Sequence, residues 1–443
     1  MRAAPRFFAT PPVVSSRRSP RRPSRAAPRV VARASPGGSN KRPDPPGLGL
    51  LEWLGPVVPQ GALVTGVKAG WREAWRVMMQ ELAPQSRSGA YERPASAFDG
   101  RLSDPRAVGP ARGPHPATRA TPARYVAYVG NACPWCHRVT LAAAILDLGP
   151  ECLAIAPLTD DAERASRGGW VFDRPDPVFG ARDLREVYDL GASSSSRRGA
   201  GYRGRCTAPV LLDRERRVIV SNESRDIVRT LDDAVDWFKG EAEEEEEDDA
   251  KESSGSFRAT LRPLNLTDRI DETNDLVYRG MNDGVYRCGF ATTQAAHNAA
   301  AADVADAFDE LERRLTTSRF LCGDKLTESD VFLFPSVVRH DAVYASAFKC
   351  GHRLVARSPN LEAWMRDVYL VAGVAGTVDV DGYRSSYFGQ LFPLNPGGIV
   401  PTGPTARELG LGVDPGRFGG GHARETVCWG REARGPTDEA AWE

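Results

Sequence analysis

A short β-rich run, Arg124-Tyr-Val-Ala-Tyr-Val129, passes through Gly130-Asn-Ala132 into Cys133-Pro-Trp-Cys136. The next residues carry a helical apolar pattern at Val139, Leu141, Ala142, Ala144, Ile145 and Leu148. A strand that becomes a helix at a Cys-x-x-Cys pair is a narrow constraint on the fold. Pro134 falls in the first helical turn, where its missing N–H costs nothing. Cys133 then faces unpaired backbone N–H groups and the positive end of the helix dipole. Both favour the thiolate, and such placement lowers a cysteine pKa from about 8.5 into the range ~3.5–7.5. Cys136 lies one turn deeper on the same face, at a separation that suits a resolving thiol.

The flanking pattern extends the constraint. A second strand is expected at Cys152–Pro157, a third at Thr207–Asp213 and a fourth at Arg217–Ser221, the last two joined by the turn Asp213-Arg-Glu-Arg216. A helix follows from Asn222. The order β-α-β, then β-β-α, is the thioredoxin arrangement. From about residue 257 the periodicity is helical with no convincing strand. The expected fold is therefore α/β plus all-α: a thioredoxin-like domain over 121–240, an acidic linker over 241–256 and a helical domain over 257–405. Residues 44–120 read as an irregular extension with one short helix near 67–82, and the Gly-rich residues 406–443 as a disordered tail.

Charge is unevenly spread. Basic and acidic residues balance at 58 each, yet residues 1–43 hold eleven Arg or Lys and no acid, while eight acids crowd into Glu241–Asp249. The remainder is mildly acidic, which argues against a nucleic-acid surface. No apolar run approaches the ~20 residues of a membrane span. The Arg-, Ser-, Ala- and Pro-rich start is transit-peptide composition. Its prolines interrupt the amphipathic helix that mitochondrial presequences use, so a plastid address is preferred, with the mitochondrion as the alternative.

Three features bear on chemistry. Cys133 is the candidate nucleophile. Ala208-Pro209 precedes a strand; a Pro there is typically cis in this fold and faces the cysteine, leaving the Ala208 backbone to pair with a peptide-like thiol. Ser221-Asn-Glu-Ser224 heads a helix, where N–H groups suit a carboxylate and Glu223 suits an ammonium, together fitting a γ-glutamyl end. Other readings of the cysteines are a zinc half-site lacking its second pair, inert buried thiols, or a general dithiol oxidoreductase. The helical second domain weighs against the last of these. No metal site is expected.

Asn131-Ala-Cys-Pro-Trp-Cys-His-Arg138 resembles the active-site motif of glutathionyl-hydroquinone reductases, the xi-class branch of the glutathione transferases. Matching segments follow in order: Gly169–Phe172, Gly204–Asp213, Ile219–Ser224, Asp283–Ala291, Leu326–Asp330, Arg339–Tyr344 with Phe348–Cys350, and Asn395–Pro401. The resemblance runs from about residue 88 to 405. It implies a glutathione-transferase-type helical domain, glutathione as co-substrate, a homodimer, and reduction of glutathionyl-hydroquinones through a Cys133–glutathione mixed disulfide. It assigns Trp170 to cover glutathione, Ala208 with Pro209 to backbone pairing, Glu223 and Ser224 to the γ-glutamyl group, and Arg205 to the glutathione-binding residues. It places Tyr286, Tyr344 and Tyr387 around the quinol ring, with Tyr286 and Tyr387 acting on it. The glycines flanking Tyr286 are expected to let that segment approach the α/β domain closely. Thr327 and Asp330 fit a helix cap.

The chain departs from the family where Cys136 replaces Ala or Ser, Ala208 replaces Val, Phe388 replaces Tyr and His340 replaces Phe. Ser193–Arg198 and Gly240–Ser256 look like insertions. A broader glutathione-dependent thioltransferase or dehydroascorbate reductase needs the same cysteine but not the tyrosines. A non-catalytic protein carrying an aromatic ligand needs neither nucleophile nor dithiol.

Overall fold

The computed structural model describes residues 59–99, 124–192, 201–233, 235, 257–416 and 428–431. The basic segment 1–43, the whole acidic linker and both proposed insertions lie outside the described residues. The chain divides into two units, residues 1–68 and 69–443. The described part of the first is the beginning of a helix, α1 (Gln60–Leu82). All that follows concerns the second.

β1 (Tyr125–Gly130) is buried along its whole length. It pairs in parallel with β2 (Leu153–Asp160), Tyr125 opposite Leu153, and antiparallel with β4 (Val210–Asp213), Tyr128 opposite Val210. A central strand covered on both faces reads as a continuous apolar run, which explains why its sequence does not alternate. β3 (Trp170–Val171) adds to the outer edge of β2, and β5 (Val218–Ser221) to β4. The order is β3-β2-β1-β4-β5. α2 (Pro134–Ile145) makes the β1–β2 crossover, α3 (Leu184–Gly191) follows β3 and α4 (Ser224–Asp233) follows β5. The Asp213 carboxylate closes the β4–β5 turn, accepting from the Glu215 and Arg216 N–H groups at 3.0 and 3.1 Å. It also pairs with the buried Arg124 at 2.7 Å.

The second half is helical: α5 (Thr267–Leu276), a π-helical stretch Val277–Asn282, α6 (Gly284–Phe290), α7 (Gln294–Arg314), α8 (Glu328–Arg339), a second π-helical stretch His340–Tyr344, α9 (Pro359–Leu370) and α10 (Val380–Gln390). π-helical turns often accompany functional sites, and both occur where the chain reaches a tyrosine of the pocket. Thr327 and Asp330 form a capping box at the head of α8. The buried Asp330 carboxylate also accepts from Leu321 N and Trp364 Nε1 at 3.0 and 2.9 Å. One cap thereby ties three segments together.

Several expectations change. The short helix near 67–82 begins seven residues earlier, at Gln60; its first turns lack a strong apolar stripe, so periodicity missed them. The rest of the extension is not merely irregular. Phe98 makes two hydrogen bonds with Asn222, its N–H donating to the side-chain Oδ1 at 3.0 Å and its carbonyl accepting from the backbone N–H at 2.8 Å. The tail is not wholly without structure either: Leu409 is buried, and β7 (Cys428–Arg431) pairs with β6 (Phe257–Thr260), a strand at the expected start of the helical domain. Such pairing between remote segments has no local signal. The glycines near Tyr286 serve the helical domain itself. A Cβ at Gly289 would fall 2.3 Å from the Phe348 ring, and one at Gly284 would fall 2.9 Å from the Arg279 carbonyl oxygen.

Candidate active site

Cys133 is the N-cap of α2. Its half-buried sulfur accepts from the Cys136 N–H at 3.4 Å and its thiol donates to the Ala208 carbonyl at 3.6 Å. Burial alone would raise the thiol pKa. Hydrogen bonds from the Cys136 thiol and from the Cys136 and Trp135 N–H groups outweigh it, aided by the Arg339 charge, and bring the value down to about 7. Cys136 is buried and its thiol is pushed well above the ordinary range by burial and by the Cys133 sulfur. The pair is thus divided into one ionisable nucleophile and one retained proton. The Ala208-Pro209 peptide is cis. It is fixed from behind by Tyr188, whose hydroxyl donates to the Thr207 carbonyl at 2.7 Å.

Glu223 sits where β5 gives way to α4, half-buried. It accepts from Ser96 Oγ at 2.8 Å, from Arg225 N at 3.2 Å and from Ser224 Oγ at 3.4 Å. Burial works against its charge, but those bonds, with Arg93 and Arg138 nearby, hold its pKa below the usual range. The carboxylate stays ionised and suits an ammonium group. Ser224 is buried and accepts from Arg138 Nη1 at 3.3 Å. Trp170 packs over the end of β1: a Cβ at Gly130 would fall 2.2 Å from its ring, so only glycine admits the indole there. Arg205 is exposed and donates to the Leu82 carbonyl at 2.8 Å, which ties it to the end of α1 rather than to Glu223 or Ser224.

The three tyrosines converge. Tyr286 on α6 and Tyr387 on α10 share a short hydrogen bond between their hydroxyls. The Tyr344 hydroxyl lies 3.4 Å from that of Tyr387. Burial pushes all three phenols upward, so they remain proton donors, and the Cys133 charge is felt at Tyr286 and Tyr344. Phe348 stacks on Tyr344 with ring centroids 5.2 Å apart. Phe388 is buried beside Tyr387 and adds no hydroxyl. His340 points away, onto Asp341 and Phe308.

Other participants were not singled out from sequence. Ser96 and Arg93 come from the extension; Arg93 lies over the Trp135 ring at 3.7 Å. Asn131 Nδ2 donates to Asp379 Oδ2 at 2.7 Å, clasping the cysteine loop to the head of α10. Arg339 and His137 form a buried network beneath that loop. Arg339 did carry a signal, since it is a charge closing the apolar run Val331–Val338.

Comparison with known proteins agrees with this arrangement. The family model described as glutathione S-transferase, N-terminal domain, matches residues 132–234, and that of the C-terminal domain matches residues 294–367. Glutathionyl-hydroquinone reductase PcpF of Sphingobium chlorophenolicum is 34% identical over 79% of this chain and 98% of its own length. Glutathionyl-hydroquinone reductase YqjG of Escherichia coli is 34% identical over 78% and 95%. The crystal structure of the glutathione-S-transferase Xi from Phanerochaete chrysosporium superposes with a TM-score of 0.58 at 31% identity, covering 71% of this chain and 97% of that one. The glutathione-bound structure of YqjG gives 0.55 at 33% identity, covering 65% and 86%. At 34% identity these two reductases are matched along almost their full length, and a xi-class structure shares the fold: the chain belongs to the glutathionyl-hydroquinone reductases, the xi class of glutathione transferases.

Proposed function

We propose that the protein reduces glutathionyl-hydroquinones to hydroquinones, using glutathione and a Cys133–glutathione mixed disulfide. The observation that carries this reading is the convergence of the Tyr286, Tyr387 and Tyr344 hydroxyls, with Tyr286 and Tyr344 within reach of the charge of a thiol whose pKa is about 7. A plain thioltransferase needs the thiol but has no use for three converging phenols. Glu223 binds the γ-glutamyl ammonium, the Ala208 backbone pairs with the cysteinyl residue and Trp170 covers the peptide.

In the first half-reaction the Cys133 thiolate attacks the thioether sulfur of the substrate. A sulfur–sulfur bond forms and the sulfur–ring bond breaks, its electron pair entering the ring. In the keto tautomer the sulfur-bearing carbon already carries hydrogen, so the pair ends on the carbonyl oxygen. That oxygen takes a proton from a tyrosine hydroxyl, and the hydroquinone leaves. In the second, an incoming glutathione returns its thiol proton to the tyrosine, and its thiolate attacks the glutathionyl sulfur of the mixed disulfide. Oxidised glutathione departs and Cys133 returns as a thiolate.

The test is steady-state turnover of a glutathionyl-hydroquinone with glutathione, wild type beside Cys133→Ser. The variant should bind glutathione and lose essentially all turnover. Retention of more than a few per cent would remove Cys133 from the mechanism, and wild-type turnover confined to small mixed disulfides would replace the quinol reading with a thioltransferase. We also propose plastid targeting by residues 1–43, tested by a fluorescent fusion of residues 1–60, and a homodimer, tested by light scattering of the purified chain.

A further inference from the structure

Arg339 ends α8 with its side chain completely buried. No carboxylate among the described residues pairs with it. Its guanidinium donates to the Asn131 carbonyl at 3.0 Å, the Ala132 carbonyl at 3.2 Å, the Pro335 carbonyl at 3.0 Å and His137 Nδ1 at 2.9 Å. Its remaining face lies on the Tyr383 ring, 3.5 Å from the centroid. Guanidinium is donor only, so His137 Nδ1 must accept and the ring proton must sit on Nε2. Nε2 then donates to Thr377 Oγ1 at 2.9 Å, whose own proton goes to the Val374 carbonyl at 2.7 Å. Four of the five guanidinium N–H donors are thereby placed, and His137 is neutral. Burial and Arg339 itself also hold His137 well below its ordinary pKa.

A buried cation without a counter-ion is costly, by several kcal/mol even after relaxation. The groups that could offset it are few. Cys136 and His137 on α2 and Tyr286, Tyr344 and Tyr387 from the helical domain are all held uncharged, and the Asp379 carboxylate is exposed and engaged by Asn131. Two of the guanidinium bonds go to the two carbonyls that immediately precede Cys133. We propose that Arg339 is a positioning residue that supplies the site's standing counter-charge: it holds the loop before Cys133 and leaves its cation to be balanced by the Cys133 thiolate. The assignment rests on Cys133 being the nucleophile and not on the identity of the substrate.

The test follows alkylation of Cys133 by iodoacetamide against pH, read by peptide mass spectrometry, in the full chain and with no quinol present. In Arg339→Gln the amide retains donors but no charge. The expected profile is displaced toward the ordinary thiol value: a tenfold or greater loss of rate at pH 6 that recovers at pH 9. A loop strut without electrostatic function would instead lower the rate by one factor at every pH, and that result, or an unmoved profile, overturns the proposal. A second measurement needs only the wild type, should the variant fail to fold. Salt at 1 M shortens the screening length to about 3 Å and weakens exposed charges, but reaches a buried cation poorly. The midpoint should stay near its low-salt position; a rise of about one unit would show that surface charge sets it, and would overturn the proposal equally.

Discussion

The Cys133 thiol donates to the Ala208 carbonyl oxygen across 3.6 Å, so the nucleophile holds the very backbone group expected to pair with glutathione. A thiolate has no proton to donate. Ionisation of Cys133 therefore arms the sulfur and releases the carbonyl in one event. With the thiol pKa at about 7, the alkylation rate should climb about tenfold per pH unit below that point and level off above it. The same shift affects stability. A folded-state pKa below the unfolded value of about 8.5 stabilises the protein above the unfolded value, and that contribution is lost as pH falls through 7. Thermal melts should find wild type gaining on Cys133→Ser between pH 6 and pH 9. A constant difference would mean that the thiol pKa is ordinary.

Cys136 should not be required for turnover. Its thiol is buried and held protonated, and it gives Cys133 a thiol hydrogen bond and a backbone N–H, of which any residue retains the second. Cys136→Ser keeps a side-chain donor at the same position, so kcat/KM with a glutathionyl-hydroquinone should stay within about threefold of wild type. Cys136→Ala loses that donor and should raise the Cys133 midpoint modestly, which the alkylation profile would detect. A tenfold loss in both variants would instead assign Cys136 a resolving role.

How much of this was legible beforehand depends on where each signal lay. The strand–cysteine–helix succession is local, and Cys133, Ala208, Pro209, Glu223 and Ser224 are read from short segments whose chemistry follows from their place at strand and helix ends. The tyrosines came only through the family resemblance, because each alone reads as an ordinary half-buried aromatic. Ser96 and Arg339 reach the site across intervals of more than a hundred residues. No periodicity encodes such contacts. Arg205 illustrates the converse: its place in the motif suggested the glutathione loop, whereas its side chain bonds to the Leu82 carbonyl.

Glu223 should govern glutathione affinity and leave the sulfur chemistry alone. Its carboxylate is ionised, oriented by Ser96 and the Arg225 N–H, and is the acid of the corner proposed to hold the γ-glutamyl end. A hydrogen bond to a charged group contributes about 1.5–3 kcal/mol, so Glu223→Gln should raise KM for glutathione roughly tenfold to a hundredfold with little change in kcat. Ser96→Ala loosens the carboxylate without discharging it and should raise KM by a smaller factor in the same direction. Steady-state kinetics at varied glutathione would separate the two parameters. A fall in kcat at unchanged KM would place Glu223 in the chemical step instead.

Tyr286→Phe provides the sharpest separation between a quinol reductase and a general thioltransferase. The Tyr286 hydroxyl is bonded to that of Tyr387, which neighbours that of Tyr344, and burial keeps all three protonated at neutral pH. In the proposed reaction this phenol donates to the ring oxygen that gains charge as the sulfur–ring bond breaks. Removing a donor that acts in the transition state typically costs about 10²-fold in rate or more. The Phe ring preserves the packing against Phe290 and Phe348, whose centroids lie 5.7 and 5.2 Å away, so the pocket keeps its shape. Turnover of a glutathionyl-hydroquinone should therefore fall by about two orders of magnitude. Reduction of glutathionylated mercaptoethanol should be nearly unaffected, because that substrate has no ring oxygen to protonate and Cys133, Ala208 and Glu223 are untouched. Comparing kcat/KM for both substrates in both proteins decides the matter. Equal losses would make Tyr286 structural, and an unchanged quinol rate would shift the activity to the broader thioltransferase class.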